Sequence, residues 1–402
     1  MPSLVNYQPY LDWIDTQKER MIGLVQQWAN INSGSENIDG INKMRASLKE
    51  AFSPLGDTTE EIVLSPRIII DDLGILKEVP TPDGLSIRKR ANAPRQIFLN
   101  GHMDTVFGLE SPFQTCRYIT HNCLNGPGVT DLKGGLVILL IALEALERSP
   151  FCENIGWEAF FNPDEAIGSV GSTPYLEQRA PHYDIGIIVE PQFPDGAFAS
   201  ARKGSTAFAL VAKGKSAHAG RDFHLGVNAV AAIAGPLQRL HALNNPGSTT
   251  TLNIGSVRGG TASNIVPDLA IARFGVRAAS GSDLLMIREQ VYSIIEEAKL
   301  QGHDFELHQL SDRAPKPFDE ETQRLFAEAR SCAEALNITM SWRETGGVCD
   351  GNTLAAMGLP TIDSMGAAGG SIHTVDEYIE LDKLVTRAQH IALMLMRAGT
   401  TE

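Results

Sequence analysis

At 402 residues the chain is longer than one hydrophobic core usually supports, so two domains are expected. Hydrophobic residues at 43% and charged residues at 20% describe an ordinary globular composition rather than a disordered or fibrous one. A formal net charge of -14 argues against a nucleic-acid partner, which needs clustered Lys and Arg, and against an anionic membrane surface.

Residues 10–30 read as an amphipathic helix, with Leu11, Trp13, Ile14, Met21, Ile22, Leu24, Val25 and Trp28 at helical spacing. Lys18, Glu19 and Arg20 interrupt any apolar core of the kind an export signal requires. The longest apolar run, Leu136 to Leu143, is too short to span a bilayer. Five cysteines (Cys116, Cys123, Cys152, Cys332, Cys349) are few and odd in number, with no Cys-x-x-Cys spacing. A reduced, cytoplasmic setting is therefore expected.

A second helix is expected over Ile41–Phe52, then strands over Arg67–Ile70 and Leu85–Arg90, the latter after the turn signal Pro82-Asp83-Gly84. A short strand, Gln96–Asn100, runs into Gly101-His102-Met103-Asp104-Thr105. Gly126-Pro127-Gly128 precedes Thr130-Asp131-Leu132-Lys133-Gly134-Gly135 and a helix to Glu147. Strands at 157–161 and 185–189, around a helix near 169–178, complete an α/β pattern with a mostly parallel sheet.

After about residue 200 the order changes to β-α-β-β-α-β. Strands lie near 206–211, 249–254, 269–276 and 305–310, with helices near 226–243 and 282–299. That order fits a ferredoxin-like domain. The α/β pattern resumes near 315, with helices near 319–336 and 382–397. The expected organisation is a discontinuous catalytic domain, 1–201 and 314–402, with an inserted lid, 202–313.

The chemistry-bearing residues sit at strand-to-loop junctions. His102 and Asp104 are two apart past a strand, so extended geometry aims both the same way, and a carboxylate beside a histidine fixes its tautomer as a metal ligand. Taken alone the pair reads more readily as a satisfied surface contact. Asp131 stands where a helix N-cap would explain it as well. Glu165 and Glu190 each follow an apolar strand, and a sheet would converge them on one rim. His373 lies in a glycine-rich stretch, Gly366 to His373, that allows close backbone approach. Together they favour a metal site.

These motifs resemble, in order and over nearly the whole chain, those of one zinc exopeptidase family. It includes glutamate carboxypeptidase, acetylornithine deacetylase, succinyl-diaminopimelate desuccinylase and aminoacylase. The resemblance continues through Gly214-Lys215-Ser216-Ala217-His218-Ala219-Gly220, Ser263-Asn264-Ile265-Val266-Pro267, Thr345-Gly346-Gly347 with Asp350, and His373.

The resemblance implies that Asp131 bridges two zinc ions, with His102 and Glu190 on one and His373 on the other. Asp104 would orient His102, and Glu165 would be the general base. His218 would polarise the scissile carbonyl, in dimers reaching the partner's site. Arg277 and Asn264 would hold the substrate's free carboxylate. A homodimer is implied, with zinc as cofactor and cobalt or manganese as substitutes.

The residue after the base is a metal ligand in the family, and here it is Ala166. One metal keeps His102, Asp131 and Glu190, a three-ligand set; the other keeps only Asp131 and His373 and is expected to bind weakly or not at all. Such a chain is either a natural single-metal member or one in which the ligand has been replaced. Arg202 and Lys203 read as surface residues, and Cys349 as packing near the site.

The expected activity is hydrolysis of an amide or peptide bond beside a free carboxylate, as in glutamate carboxypeptidase, impaired by Ala166. The alternatives are an N-acyl-amino-acid deacylase of the acetylornithine or succinyl-diaminopimelate type, and a non-catalytic ligand-binding member. Intact Glu165 counts against the last.

Overall fold

Apolar runs between turn residues form the strands of a central sheet in the computed structural model, which describes residues 4–300 and 303–400. Its six strands lie in the order Thr58–Ile62, Gly84–Lys89, Ile155–Asn162, Arg95–His102, Ile185–Ile188, Thr361–Ile362. The last four in that order are mutually parallel, and Gly84–Lys89 runs antiparallel to both its neighbours. Every residue of Ile155–Asn162 is buried. A strand covered on both faces needs a continuous apolar run, which is why the sequence shows no alternation there.

One face is covered by Gly134–Arg148, which packs against Gln8–Asp15, Lys18–Ala29 and Lys383–Ala398. That helix is apolar nearly all round, as a helix between a sheet and an outer helical layer must be. On the other face Phe98, Phe160 and Ile188 pack with Leu176 and Leu354 from the helices Thr173–Arg179 and Asp350–Ala356.

The expected helix at 10–30 is two helices. Thr16 ends the first by donating its hydroxyl to the Trp13 carbonyl at 2.6 Å, a local bond that competes with the helical ladder. The next helix starts at Ile38 rather than Ile41, because the Asn37 side chain caps it by accepting from the Gly40 N–H.

A separate four-stranded antiparallel sheet has the order Thr251–Gly259, Leu269–Ala278, Gly204–Lys213, Asp304–Arg313. With the helices Ala229–His241 and Gly281–Leu300 it follows the β-α-β-β-α-β order and has its own core around Phe208, Phe274, Ile233 and Val291. Its other face meets Ile70 of the hairpin Arg67–Ile70/Leu76–Val79. Residues 1–3 and 401–402 of the expected catalytic domain, and 301–302 of the expected lid, lie outside the described residues. All five cysteines are free, and among the described residues no helix is long and apolar enough to cross a membrane.

Candidate metal centre

The carboxyl ends of the parallel strands bring the charged residues together, the usual place for a site in an open α/β sheet. His102 ends the strand Arg95–His102, Glu190 follows Ile185–Ile188, and Glu165 follows Ile155–Asn162. Asp131 lies in the turn before Gly134–Arg148. Glycines permit this convergence: a Cβ on Gly135 or Gly366 would lie 2.3 or 2.0 Å from the Val189 carbonyl oxygen.

The ligand atoms of His102, Asp131 and Glu190 lie within 4.8 Å of one another. His102 Nε2 is 3.2 Å from Asp131 Oδ1 and 3.9 Å from Glu190 Oε1. The other oxygen of Asp131, Oδ2, is 2.9 Å from His373 Nε2. One carboxylate thus faces two histidines, one on each oxygen. His102 Nδ1 faces the backbone oxygen of Asp104 at 3.0 Å and its Oδ1 at 3.2 Å. A proton on Nδ1 leaves the Nε2 lone pair aimed at the cluster.

Asp104 does more than face His102. Its carboxylate accepts from the Glu165 N–H and the Ala166 N–H, each at 3.1 Å, and from the Ser35 hydroxyl at 2.7 Å. It therefore fixes the turn that carries Glu165 as well as the imidazole.

The buried charges of the cluster shift one another strongly. Burial alone would lower the His102 pKa, yet hydrogen bonds from its ring to the Asp104 and Asp131 carboxylates raise it well above the ordinary value. Burial likewise opposes ionisation of Asp131, but His102 and His373 hold its carboxyl well below the usual range. Glu190 is pushed well up by burial and by the neighbouring Glu165 and Asp131 charges. Burial raises Glu165 to about 7, against the pull of Arg313 and His102. One imidazole with two carboxylates suits zinc or a similar divalent ion, so the residues present fit such a metal.

Glu165 meets Arg313 at 3.1 Å through Oε1, and Arg313 also donates to Asp350 Oδ1 at 3.2 Å. Asp350 in turn accepts from Ser169 at 2.5 Å and Asn162 at 2.7 Å. Asp164, beside Glu165 in sequence, is buried elsewhere and accepts from the Gly171 and Ser172 N–H groups, so it is a turn residue. The methyl side chain of Ala166 offers the centre no ligand atom.

His218, Asn264 and Arg277 make no hydrogen bond to this cluster among the described residues. His218 is exposed, and its Nδ1 accepts from the Gly220 and Arg221 N–H groups, each at 3.1 Å. Asn264 is also exposed, on the neighbouring loop, where its backbone oxygen accepts from the Ala219 N–H. Arg277 donates to the Gly346 carbonyl at 2.9 Å and shares a cross-strand row with Ser205 and Arg313.

Arg202 corrects the surface reading: it is buried and forms a two-point pair with Asp363, at 2.8 and 3.0 Å. Cys349 is fully buried, burial raises its thiol pKa well above the ordinary value, and it serves packing at the start of Asp350–Ala356. Sequence reasoning missed Arg313 and also Glu377, whose carboxylate accepts from the Thr130 and Asp131 N–H groups, and gave no role to Asp350. Nothing local marks the first two, because their partners lie far away along the chain.

The model of the peptidase family M20/M25/M40 matches residues 98–397. Carboxypeptidase G2 of Pseudomonas sp. (strain RS-16) is 25% identical over 391 residues, covering 95% of this chain and 90% of that protein. Succinyl-diaminopimelate desuccinylase of Marinobacter nauticus is 29% identical over 365 residues, covering 85% and 93%. An M20 family metallo-carboxypeptidase from Sulfolobus solfataricus superposes with a TM-score of 0.75 at 16% identity, covering 95% of this chain and 99% of that one. Human carnosine dipeptidase 1 gives 0.73 at 13% identity, covering 98% and 100%. At such identities these two structures support the fold alone.

Proposed function

The chain belongs to peptidase family M20/M25/M40, and from that premise we propose that it is a zinc-dependent hydrolase of an amide or peptide bond beside a free carboxylate, glutamate-carboxypeptidase-like in preference. The observation that carries this reading is the convergence of His102, Asp131 and Glu190 within 4.8 Å, beside a carboxylate, Glu165, whose pKa burial raises to about 7.

A zinc ion held by His102, Asp131 and Glu190 would polarise the scissile carbonyl and acidify the attacking water. Glu165 takes the proton from that water and returns it to the leaving amine; a base near neutral pKa suits both transfers, and a dication nearby would lower it. Asp104 holds His102 in its ligand tautomer. His218, with Nδ1 engaged, has Nε2 left to donate to the developing oxyanion. Arg277 and Asn264 hold the substrate carboxylate, a task suited to a guanidinium fork.

In this reading residues 202–313 form a ferredoxin-like lid that closes over 1–201 and 314–402, and the lid also dimerises the protein. A second metal would find only Asp131 and His373, since Ala166 brings no carboxylate, and would bind weakly. The compartment is the cytoplasm.

The match to succinyl-diaminopimelate desuccinylase favours a second reading, removal of an acyl group from an amino acid. A zinc-loaded enzyme assayed on a panel of N-acyl amino acids and C-terminal glutamate peptides separates the two. Turnover of the glutamate peptides supports the first reading. Turnover of succinylated or acetylated amines alone replaces it with the second, and turnover of neither overturns both.

A further inference from the structure

We propose that Glu377 is a positioning residue for the metal centre. It clamps the loop of Asp131 to the loop of His373, so that both oxygens of Asp131 are aimed before a metal arrives. The inference rests on the reading that His102, Asp131 and Glu190 hold a divalent ion.

Glu377 is fully buried, with no basic side chain hydrogen-bonded to it among the described residues. Its carboxylate is satisfied by backbone instead. Oε1 accepts from the N–H groups of Thr130 at 2.9 Å and Asp131 at 3.0 Å, and Oε2 accepts from Gly128 at 3.1 Å.

Those donors belong to one tight turn. Gly128 has a φ of +70°, and a Cβ there would lie 2.7 Å from Thr105 Cγ2. Asp131 has φ -118° and ψ 84°, outside the helical region, so its N–H cannot join a helical ladder and needs another acceptor. Glu377 supplies it, at the residue whose carboxylate faces both histidines.

The other end of the clamp is equally specific. Glu377 follows His373 by four residues, and its N–H bonds the Thr374 carbonyl at 3.1 Å, whose N–H in turn bonds Ser371. Asn125 donates to the backbone oxygens of Val375 at 3.1 Å and Glu377 at 2.7 Å, and Thr130 donates to that of Tyr378 at 2.6 Å. A small antiparallel ladder, Tyr378–Glu380 on Cys123–Asn125, continues the attachment.

Burying a carboxylate with no cation bonded to it is costly, and here the cost is offset by N–H donors of the metal-binding turn itself and by the nearby buried Lys133 charge. Outer partners of this kind commonly change metal affinity about 10–100-fold. Glu377→Gln is the informative change, since an amide accepts at one oxygen but sets its own N–H2 against another N–H.

The test uses the full chain and Zn2+, titrated in competition with a chromophoric chelator, with the Co2+ absorption spectrum as a second readout. Glu377→Gln is expected to weaken Zn2+ binding about 10–100-fold and to alter the Co2+ spectrum. Glu158→Gln, at a buried carboxylate held by Ser86, Tyr175 and Arg179 away from the centre, controls for lost stability and should leave both readouts unchanged. Zn2+ affinity and a Co2+ spectrum unchanged in Glu377→Gln would overturn the proposal, as would equal weakening in Glu158→Gln. A parent chain that binds no Zn2+ would overturn the metal reading and the clamp with it.

Discussion

Two buried acidic clusters near the same sheet rim solve the problem of charge in opposite ways. Asp363 is fully buried, yet it takes two bonds from Arg202, one from Lys316 at 2.8 Å and one from Ser364 at 3.0 Å. Burial alone would raise its pKa, but the two cations hold it well below the usual carboxylate range. Glu190 has no Lys or Arg hydrogen-bonded to it among the described residues, and burial with the neighbouring Glu165 and Asp131 charges pushes it up. Burial raises Glu165 to about 7 even with Arg313 at 3.1 Å. Where the chain supplies two cations the carboxylate is a structural tie; Glu190, with neither Lys nor Arg bonded to it, is the one the proposed function gives to a divalent ion.

The contrast can be broken at either cluster. The largest expected effect is on turnover: Glu165→Gln should cut kcat about 10²–10⁴-fold while leaving zinc affinity nearly unchanged. Steady-state rates with a zinc titration check this, and an unchanged kcat would remove Glu165 from the mechanism.

Next is stability. Asp363→Asn leaves Arg202 and Lys316 buried without their counter-charge and should cost about 3–5 kcal/mol in urea unfolding. Glu190→Gln in the metal-free chain instead replaces a carboxyl whose ionisation the site disfavours, and should be neutral or stabilising by about 1 kcal/mol. Equal losses in both variants would erase the distinction between the clusters.

A smaller effect is on pH dependence. The folded-state pKa of Asp363 is depressed, so its contribution is complete above the unfolded value of about 4 and declines as pH falls toward the folded value. Unfolding free energy measured downward from pH 5 should therefore fall more steeply in the parent than in Asp363→Asn. Parallel profiles would contradict that assignment.

What could be read from sequence follows from range. Strands such as Ile155–Asn162 announce themselves because burial on both faces demands an apolar run, and His102 with Asp104 does so because two residues on a strand share a face. The helix break at Thr16 was hidden by continuous apolar periodicity across it, since a hydroxyl bonding back to Trp13 leaves no mark in the pattern. Arg202 read as surface because its partner lies 161 residues away. Arg313 is 148 residues from Glu165, and Glu377 246 from Asp131. A buried ion pair or clamp of that reach exists only once the fold is built.

The most direct measurement is the number of divalent ions that stay bound to the purified protein after dialysis against zinc, counted by elemental analysis beside Ala166→Glu and His102→Ala. One tightly held zinc per chain is the expected result, rising to two in Ala166→Glu and vanishing in His102→Ala. Two equally tight ions in the present chain, or none, would contradict the account.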